Sequence, residues 1–335
     1  MEYRILGKTG LMVSRVGFGG IPLQKTTPAE AKAVIDALVA RGINFIDTAR
    51  GYTVSEELIG AAIEGRRDKF ILASKSMSRT AEAIKRDIDI SLKNLRTDYI
   101  DLYQIHNPPV RDFDAVMGEG GAMEGLLEAK KEGKIGHIGL TAHSVEVFER
   151  ALEYNCIETV MFPYNIVETQ GEALIAKCLE KNVGFICMKP LAGGALENAT
   201  LALRFILNDP AVGVVIPGMA SVQEVEENAS VSDMEGDLRE AELDEIEQIR
   251  RELGSNFCRR CNYCAPCTAG ISIPSVFLFG GYLERYGLED WARSRYATLQ
   301  KTASDCIGCG VCETRCPYEL PIREMMKKHA EAFGK

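Results

Sequence analysis

Eight of the eleven cysteines fall in two compact groups, and their spacing suits ligation of a metal centre. The second group is Cys306-x2-Cys309-x2-Cys312-x3-Cys316, followed directly by Pro317. A tight loop of this kind aims three thiolates at three different irons of a 4Fe–4S cube, and the fourth ligand comes from elsewhere in the fold. The first group, Cys258-x2-Cys261-x2-Cys264-x2-Cys267, is one residue shorter before its last cysteine. Structural zinc is the alternative for Cys-x2-Cys pairs, but four ligands complete such a site, so the threefold repeat favours iron–sulfur. Cys156, Cys178 and Cys187 lie scattered among apolar neighbours and read as small buried hydrophobes. A second set of reactive types is spread along the first third of the chain. Asp47, Lys75 and His106 each close a short apolar run, and Tyr52 follows Asp47 in the same loop. One titratable residue at the end of such a run is commonplace. A carboxylate, a phenol, an ammonium and an imidazole at successive ends form a far more specific pattern. The plain alternative is a buried Asp–Lys ion pair beside a packed tyrosine.

These residues need a scaffold that brings strand ends together. Over the first 250 residues, apolar β-branched runs alternate with amphipathic helical stretches. The runs are 15–19, 43–48, 69–74, 99–105, 136–141, 158–163, 184–188 and 213–216. They are almost continuously apolar, as strands buried on both faces are. Between them the spacing predicts helices at Pro28–Arg41, Thr80–Leu95, Gly121–Glu132, Ser144–Tyr154, Gly171–Lys181 and Thr200–Asn208. Eight strand–helix repeats over about 220 residues match an α/β fold of the (β/α)8 TIM-barrel type, whose active sites lie at the C-terminal strand ends. A doubly wound open sheet would need a G-x-G-x-x-G turn after its first strand, and "GFGGIP" does not supply one. Residues 1–12 read as a β-hairpin turning at Gly7 to Gly10, placed to plug the barrel bottom. A charged helix over 239–253 runs into Gly254, a residue suited to a helix C-cap, and divides the chain into 1–254 and 255–335.

Composition narrows the function classes. Net charge is −9, against a general nucleic-acid surface. Residues 1–254 carry 28 Lys and Arg against 40 Asp and Glu, while residues 255–335 carry 11 against 8. Two clusters with four thiolates each would bring the basic C-terminal part near neutrality. No apolar run is long enough to span a membrane, and nothing resembling a signal peptide opens the chain. Grouped rather than scattered cysteines point to a reducing, cytoplasmic setting.

The segments around the four titratable residues are "NFIDTARGY" at 44–52, "ILASK" at 71–75 and "LYQIH" at 102–106. They resemble the active-site segments of aldo-keto reductases. The resemblance runs over residues 1–228 and includes "GKIGHIGLTAH" and "VVIPGMASVQEVEEN". It implies an oxidoreductase that interconverts a small carbonyl and an alcohol, with Asp47, Tyr52, Lys75 and His106 as its tetrad. Carbonyl reduction needs a proton donor at the developing alkoxide, and Tyr52 is that acid. A nearby Lys75 ammonium eases release of the phenol proton, Asp47 holds Lys75, and His106 orients the carbonyl or shares the proton.

By the same resemblance, NADP(H) or NAD(H) lies extended over the barrel mouth. It meets Thr141 and His143 at the nicotinamide, then Met188, Lys189, Pro190, Leu191 and Gly193. Gly218, Gln223, Glu227 and Asn228 follow toward the adenine. His143 reads equally as a packed core histidine. Several positions depart from the family pattern. Thr141–Ala142 stands where Ser-Asn is common, Met161 replaces a Gln, and Met188 replaces the aromatic ring under the nicotinamide. Gly218 and Glu224 occupy the places of the Lys and Arg that clamp the 2′-phosphate. Glu224 would repel a phosphate, and Lys189 would offset it.

The two cysteine groups form an internal repeat, since "CTAGISIPSVF" at 267–277 echoes "CPYELPIREMM" at 316–326. With 275–303 reading as helical, this part resembles the α-helical ferredoxin type. By analogy, Cys267 completes the cluster of Cys306, Cys309 and Cys312, and Cys316 completes that of Cys258, Cys261 and Cys264. Hydride carries two electrons and a cluster one, so coupling them takes a splitting group. A flavin fits that role, though the chain has no flavin motif. Three readings follow. The barrel reduces carbonyls and the clusters are structural or regulatory; or clusters and barrel form a path to a ferredoxin-like carrier; or the barrel is not an ordinary carbonyl reductase and the chain is an electron-transfer subunit.

Overall fold

The structure is a computed structural model and describes residues 1–234 and 236–334. By its contacts the chain forms two compact units. The first comprises Met1–Asn165, Thr169–Leu191 and Asn198–Leu238, and the second comprises Ile166–Glu168, Ala192–Glu197 and the chain from Arg239 on.

The first unit opens with a hairpin of β1 (Tyr3–Ile5) and β2 (Met12–Ser14). Eight parallel strands follow: β3 (Phe18–Gly19), β4 (Phe45–Asp47), β5 (Ile71–Ser76), β6 (Ile100–His106), β7 (Ile135–Thr141), β8 (Thr159–Pro163), β9 (Gly184–Met188) and β10 (Val214–Val215). They pair in sequence order from β3 to β10. Parallel bridges from Val16 to Val215 and from Gly19 to Gly218 join the two edges, giving the barrel expected from the alternation. The helices behind the strands are α1 (Pro28–Arg41), α2 (Ser55–Ala62), α3 (Ala81–Leu95), α4 (Phe113–Met117), α5 (Ala122–Lys131), α6 (Val145–Ala151), α7 (Glu172–Glu180), α8 (Ala199–Leu207) and α9 (Val222–Ser230). The start and stop of α1 follow from sequence alone. Thr27 and Glu30 form a capping box, Pro28 sits in the first turn, and Gly42 ends the helix in the left-handed conformation. Helix α2 escapes the periodicity test because most of its residues are buried, including Ser55 and Glu56.

Strand period two sorts the side chains. Phe45, Ala73, Leu102, Met161, Ile186 and Val214 fill the barrel interior, while Ile46, Leu72, Tyr103 and Ile105 face the helices. The same alternation turns Asp47, Lys75, Gln104 and His106 inward. Leu6 and Val13 of the hairpin join the interior cluster, so the hairpin plugs the barrel at the strand starts. Gly7 makes this possible: it adopts φ +52°, and a Cβ there would lie 2.3 Å from the Gly184 nitrogen. Gly7→Ala is expected to lower the unfolding free energy by about 2–4 kcal/mol, read as a reduced urea midpoint at unchanged slope.

The second unit is helical. It holds α10 (Glu240–Gly254), α11 (Ile273–Glu284), α12 (Glu289–Tyr296), α13 (Val311–Thr314) and α14 (Ile322–Phe333). Gly254 is the last helical residue of α10, and Ser255 takes the cap position at φ −96°, so no left-handed glycine ends this helix. The stretch expected to be helical over 275–303 breaks between α11 and α12, where Gly287 turns at φ +61°. The internal repeat is structural: α11 starts after Cys267 at the same offset as α14 starts after Cys316. Ile273, Val276, Phe277, Ile322 and Met326 share one apolar core, within which Tyr296 stacks on Phe333 at 3.8 Å. Among the described residues, no helix is long and apolar enough to cross a membrane.

Candidate functional site

At the C-terminal end of the barrel strands, Asp47 and Lys75 form a buried ion pair. Lys75 Nζ donates to Asp47 Oδ2 at 2.5 Å and to the Thr48 carbonyl at 2.8 Å. The two side chains are 4% and 2% exposed, so water screens the pair little. Gln104, paired in register with Lys75 on β6, donates to the other Asp47 oxygen at 3.1 Å. Burial pulls the Lys75 ammonium below its ordinary range and pushes the Asp47 carboxyl up; their mutual attraction opposes both shifts. Lys75 Nζ lies 4.8 Å from the centroid of the half-buried Tyr52 ring. His106 stands edge-on to that ring, with centroids 6.1 Å apart. Asp47, Lys75, Tyr52 and His106 thus meet at one place, and the positive charge beside the phenol favours loss of its proton.

The loops at this rim are held in unusual backbone conformations. Thr53, Asn107 and Lys189, directly after Tyr52, His106 and Met188, all have positive φ, at 42°, 47° and 56°. Such strain outside glycine persists where surroundings over-determine it. Here the restraints are visible. Asn107 N donates to the Thr141 hydroxyl at 3.0 Å, and His143 N donates to Asn107 Oδ1 at 3.1 Å. Asn165 Nδ2 donates to the Lys189 carbonyl at 2.9 Å.

The other positions assigned to a dinucleotide vary in setting. Thr141, Pro190 and Asn228 are buried, whereas Met188, Lys189, Leu191 and His143 are half-buried. Gly218, Gln223 and Glu227 are exposed, and Gln223 donates to Glu227 at 2.7 Å along α9. Gly193 belongs by its contacts to the second unit, where its carbonyl accepts from Arg285 Nε at 3.0 Å. At the start of α9, Glu224 closes a capping box: its carboxylate accepts from Ala220 N at 2.5 Å and Ser221 N at 3.1 Å. The carboxylate therefore already stands at the helix start, where a phosphate would bind. Sequence reasoning missed Thr48, Gln104 and Asn165. The alternation along β6 would have found Gln104; Thr48 acts through its carbonyl, which no side-chain pattern reveals.

In the second unit, Cys267, Cys306, Cys309 and Cys312 line one cavity, with Ile271, Ile273, Val311 and Met326 as its apolar walls. Cys261 lies close enough to Cys316 for their charges to interact, and Cys264 is similarly close to Cys258, Cys261 and Cys312. Among the described residues, no three His, Cys, Asp or Glu side chains converge on a point as a single metal ion requires. Four thiols spread around a cavity fit a cube of iron and sulfide better than one zinc ion. Burial pushes the Cys258 thiol up to about 11 and Cys264 up to about 12, so a bound metal centre would have to supply the charge that favours their thiolates. Arg259 and Arg260, between Cys258 and Cys261, are fixed within this unit. Arg259 donates to the Val167 carbonyl at 2.9 Å and lies 3.8 Å over the Tyr318 ring, and Arg260 pairs with buried Glu168.

Comparison with known proteins agrees with both parts. The model of the aldo/keto reductase family matches residues 15–200, and that of a 4Fe–4S dicluster domain matches residues 257–321. An L-galactose dehydrogenase of Arabidopsis thaliana is 29% identical over 302 residues, covering 74% of this chain and 94% of that protein. An aldo-keto reductase of Bacillus subtilis is 33% identical over 233 residues, covering 60% of this chain and 66% of the other. Among solved structures, an aldo-keto reductase of Bacillus halodurans in its holo form aligns with TM-score 0.65 at 27% identity, over 74% of this chain and 96% of that one. The chain belongs to the aldo/keto reductase family of oxidoreductases, and carries a 4Fe–4S dicluster domain in its C-terminal part.

Proposed function

We propose that the chain interconverts a small aldehyde or ketone and its alcohol at the barrel mouth, using a nicotinamide dinucleotide. The observation that carries this reading is the Lys75 ammonium, clamped by Asp47 at 2.5 Å and poised 4.8 Å from the Tyr52 ring. When bound, the dinucleotide supplies or accepts the hydride. Tyr52 gives its proton to the alkoxide oxygen, Lys75 steadies the phenolate left behind, and Asp47 with the Thr48 carbonyl keeps the ammonium from turning away. His106 bounds the carbonyl's position on the opposite side of the ring edge. The Thr141 hydroxyl, His143 and Asn165 at the strand ends fit the mixed donors and acceptors of a carboxamide. The test is oxidation of NADH and NADPH by a panel of aldehydes and ketones under anaerobic conditions. No oxidation with any carbonyl would sink the reading.

The α9 cap argues for coenzyme choice. Glu224 would meet a 2′-phosphate with like charge, while an unmodified ribose carries none. NADH is therefore expected to bind more tightly than NADPH. Glu224→Gln is expected to narrow the gap about tenfold, by fluorescence titration of both coenzymes. Equal effects on the two would remove Glu224 from the discrimination.

We assign two 4Fe–4S clusters to the second unit: Cys258, Cys261, Cys264 and Cys316 for one, and Cys267, Cys306, Cys309 and Cys312 for the other. The shared cavity of the second set supports it. The clusters are read as holding residues 255–335 together. Exchange of single electrons with a ferredoxin-like carrier is favoured by one further observation: Cys309 and its loop neighbour Ile307 are exposed, Ile307 by 65%. Reduction of the clusters by a viologen dye, lost in part in Cys309→Ser, would support that exchange.

A further inference from the structure

Tyr52 reaches the mouth on the loop between β4 and α2, and that loop is fixed from outside the barrel. Arg50 N donates to the Lys75 carbonyl at 3.0 Å, and Arg50 Nη1 donates to Glu56 Oε2 at 2.8 Å. Glu56, in the first turn of α2, is 1% exposed. Its Oε1 accepts from Ser74 and Ser91, both at 2.7 Å, and its Oε2 also accepts from Asn94 at 3.1 Å. Four donors on one buried carboxylate fix it in place.

Period two along β5 explains the layout. Lys75 points into the barrel, so Ser74 and Ser76 on either side point out. Ser74 ends on Glu56. Ser76 ends on Asp87 of α3, which also accepts from Ser78 at 2.7 Å and lies 3.8 Å from Arg50 Nε. Arg50 therefore sits between two carboxylates, directly behind the strand that carries Lys75. Elsewhere apolar contacts such as Ile46, Leu72 and Ile105 suffice to pack helices on strands. A buried ionic network here needs a role beyond adhesion, since hydrophobic packing stabilises at least as well.

We propose that Glu56, held by Arg50, is a positioning residue for proton delivery. It locks the Tyr52 loop against β5 and supplies the negative charge that keeps the Lys75 ammonium paired with the phenol. This rests on the carbonyl-reduction reading above. The groups that share the field are Asp47 on β4, Tyr52 in the loop, His106 on β6 and Glu56 on α2 around Lys75. Around Glu56 they are Arg50, Asp87 on α3 and Tyr103 on β6. The Glu56 charge favours the protonated Lys75.

Two variants with opposite expected signs test this. Glu56→Gln removes a negative charge, so the phenol and the ammonium both release protons more readily, whichever of the coupled pair titrates first. The alkaline limb of kcat for carbonyl reduction is expected to move down by about one pH unit, with kcat near neutrality about tenfold lower and coenzyme affinity unchanged. Arg50→Gln removes a positive charge and is expected to move the limb up by about half a unit, less because Arg50 is 24% exposed. A kcat lowered at every pH with both limbs stationary would overturn the proposal and leave the network as packing. If Glu56→Gln does not fold, the Arg50→Gln limb decides alone: upward supports the proposal, stationary overturns it. Ultraviolet titration of the Tyr52 phenol, taken as the difference from Tyr52→Phe in each background, needs no turnover. Wild-type protein inactive on every carbonyl would defeat the functional reading. The phenol titration would still decide whether Glu56 and Arg50 set the field at Tyr52.

Discussion

Replacement of Tyr52 by Phe is expected to lower kcat for carbonyl reduction by about 10²–10⁴-fold while the dissociation constants of NADH and NADPH stay within about twofold. The phenyl ring keeps its place against His106 and under the Lys75 ammonium, since both contacts are made by the ring. Only the hydroxyl is lost, and with it the proton that must reach the developing alkoxide. Lys75→Met is expected to be as damaging for a different reason. It strips the charge beside the phenol and leaves Asp47 buried with Gln104 as its remaining side-chain donor. That uncompensated carboxylate would take up a proton or draw in water, so the variant should also lose about 3–5 kcal/mol of stability, which Tyr52→Phe should not. The pair of variants separates chemistry from fold. Equal activity in Tyr52→Phe and wild type, with any carbonyl, would remove Tyr52 from the mechanism and would favour the reading of the chain as an electron-transfer subunit.

Loss of iron is expected to unfold the second unit and spare the barrel. Its core is small, and most of the grouped cysteines are part of it: Cys264 is buried there, with Cys258, Cys267, Cys306, Cys312 and Cys316 packed against it. The segments between α10 and α11 and between α12 and α14 contain little regular structure, so ligation must fix their course. Metal binding then acts as folding free energy, on the order of 10 kcal/mol for structural sites, comparable with the whole stability of a domain. Anaerobic protein is expected to hold about eight irons per chain, and Cys264→Ser about four. After chelation, far-ultraviolet ellipticity should fall by the share of α11 to α14, and limited proteolysis should cut after residue 255 first. A chelated protein that keeps its full helicity and resists cleavage would show that the clusters carry electrons without holding the fold. Zinc in place of iron in oxygen-free preparations would contradict the cluster assignment itself.

Much of this molecule is written in local codes. The alternation of apolar runs with helical stretches yields the barrel because period two and period 3.6 bury one strip of each element, wherever the chain goes next. That same period turns Asp47, Lys75 and His106 inward, and the interval between cysteines decides which metal centre they suit. Non-local pairing is a different matter. Four side chains from α3, β5 and the Tyr52 loop meet at Glu56 of α2. Gly193 and Ile166–Glu168 associate by contact with a unit whose main chain begins at Arg239. None of these is readable from spacing, because each depends on loop course and rotamer choice between residues far apart in sequence. Short-range sterics leave those open, and the assembled packing selects one.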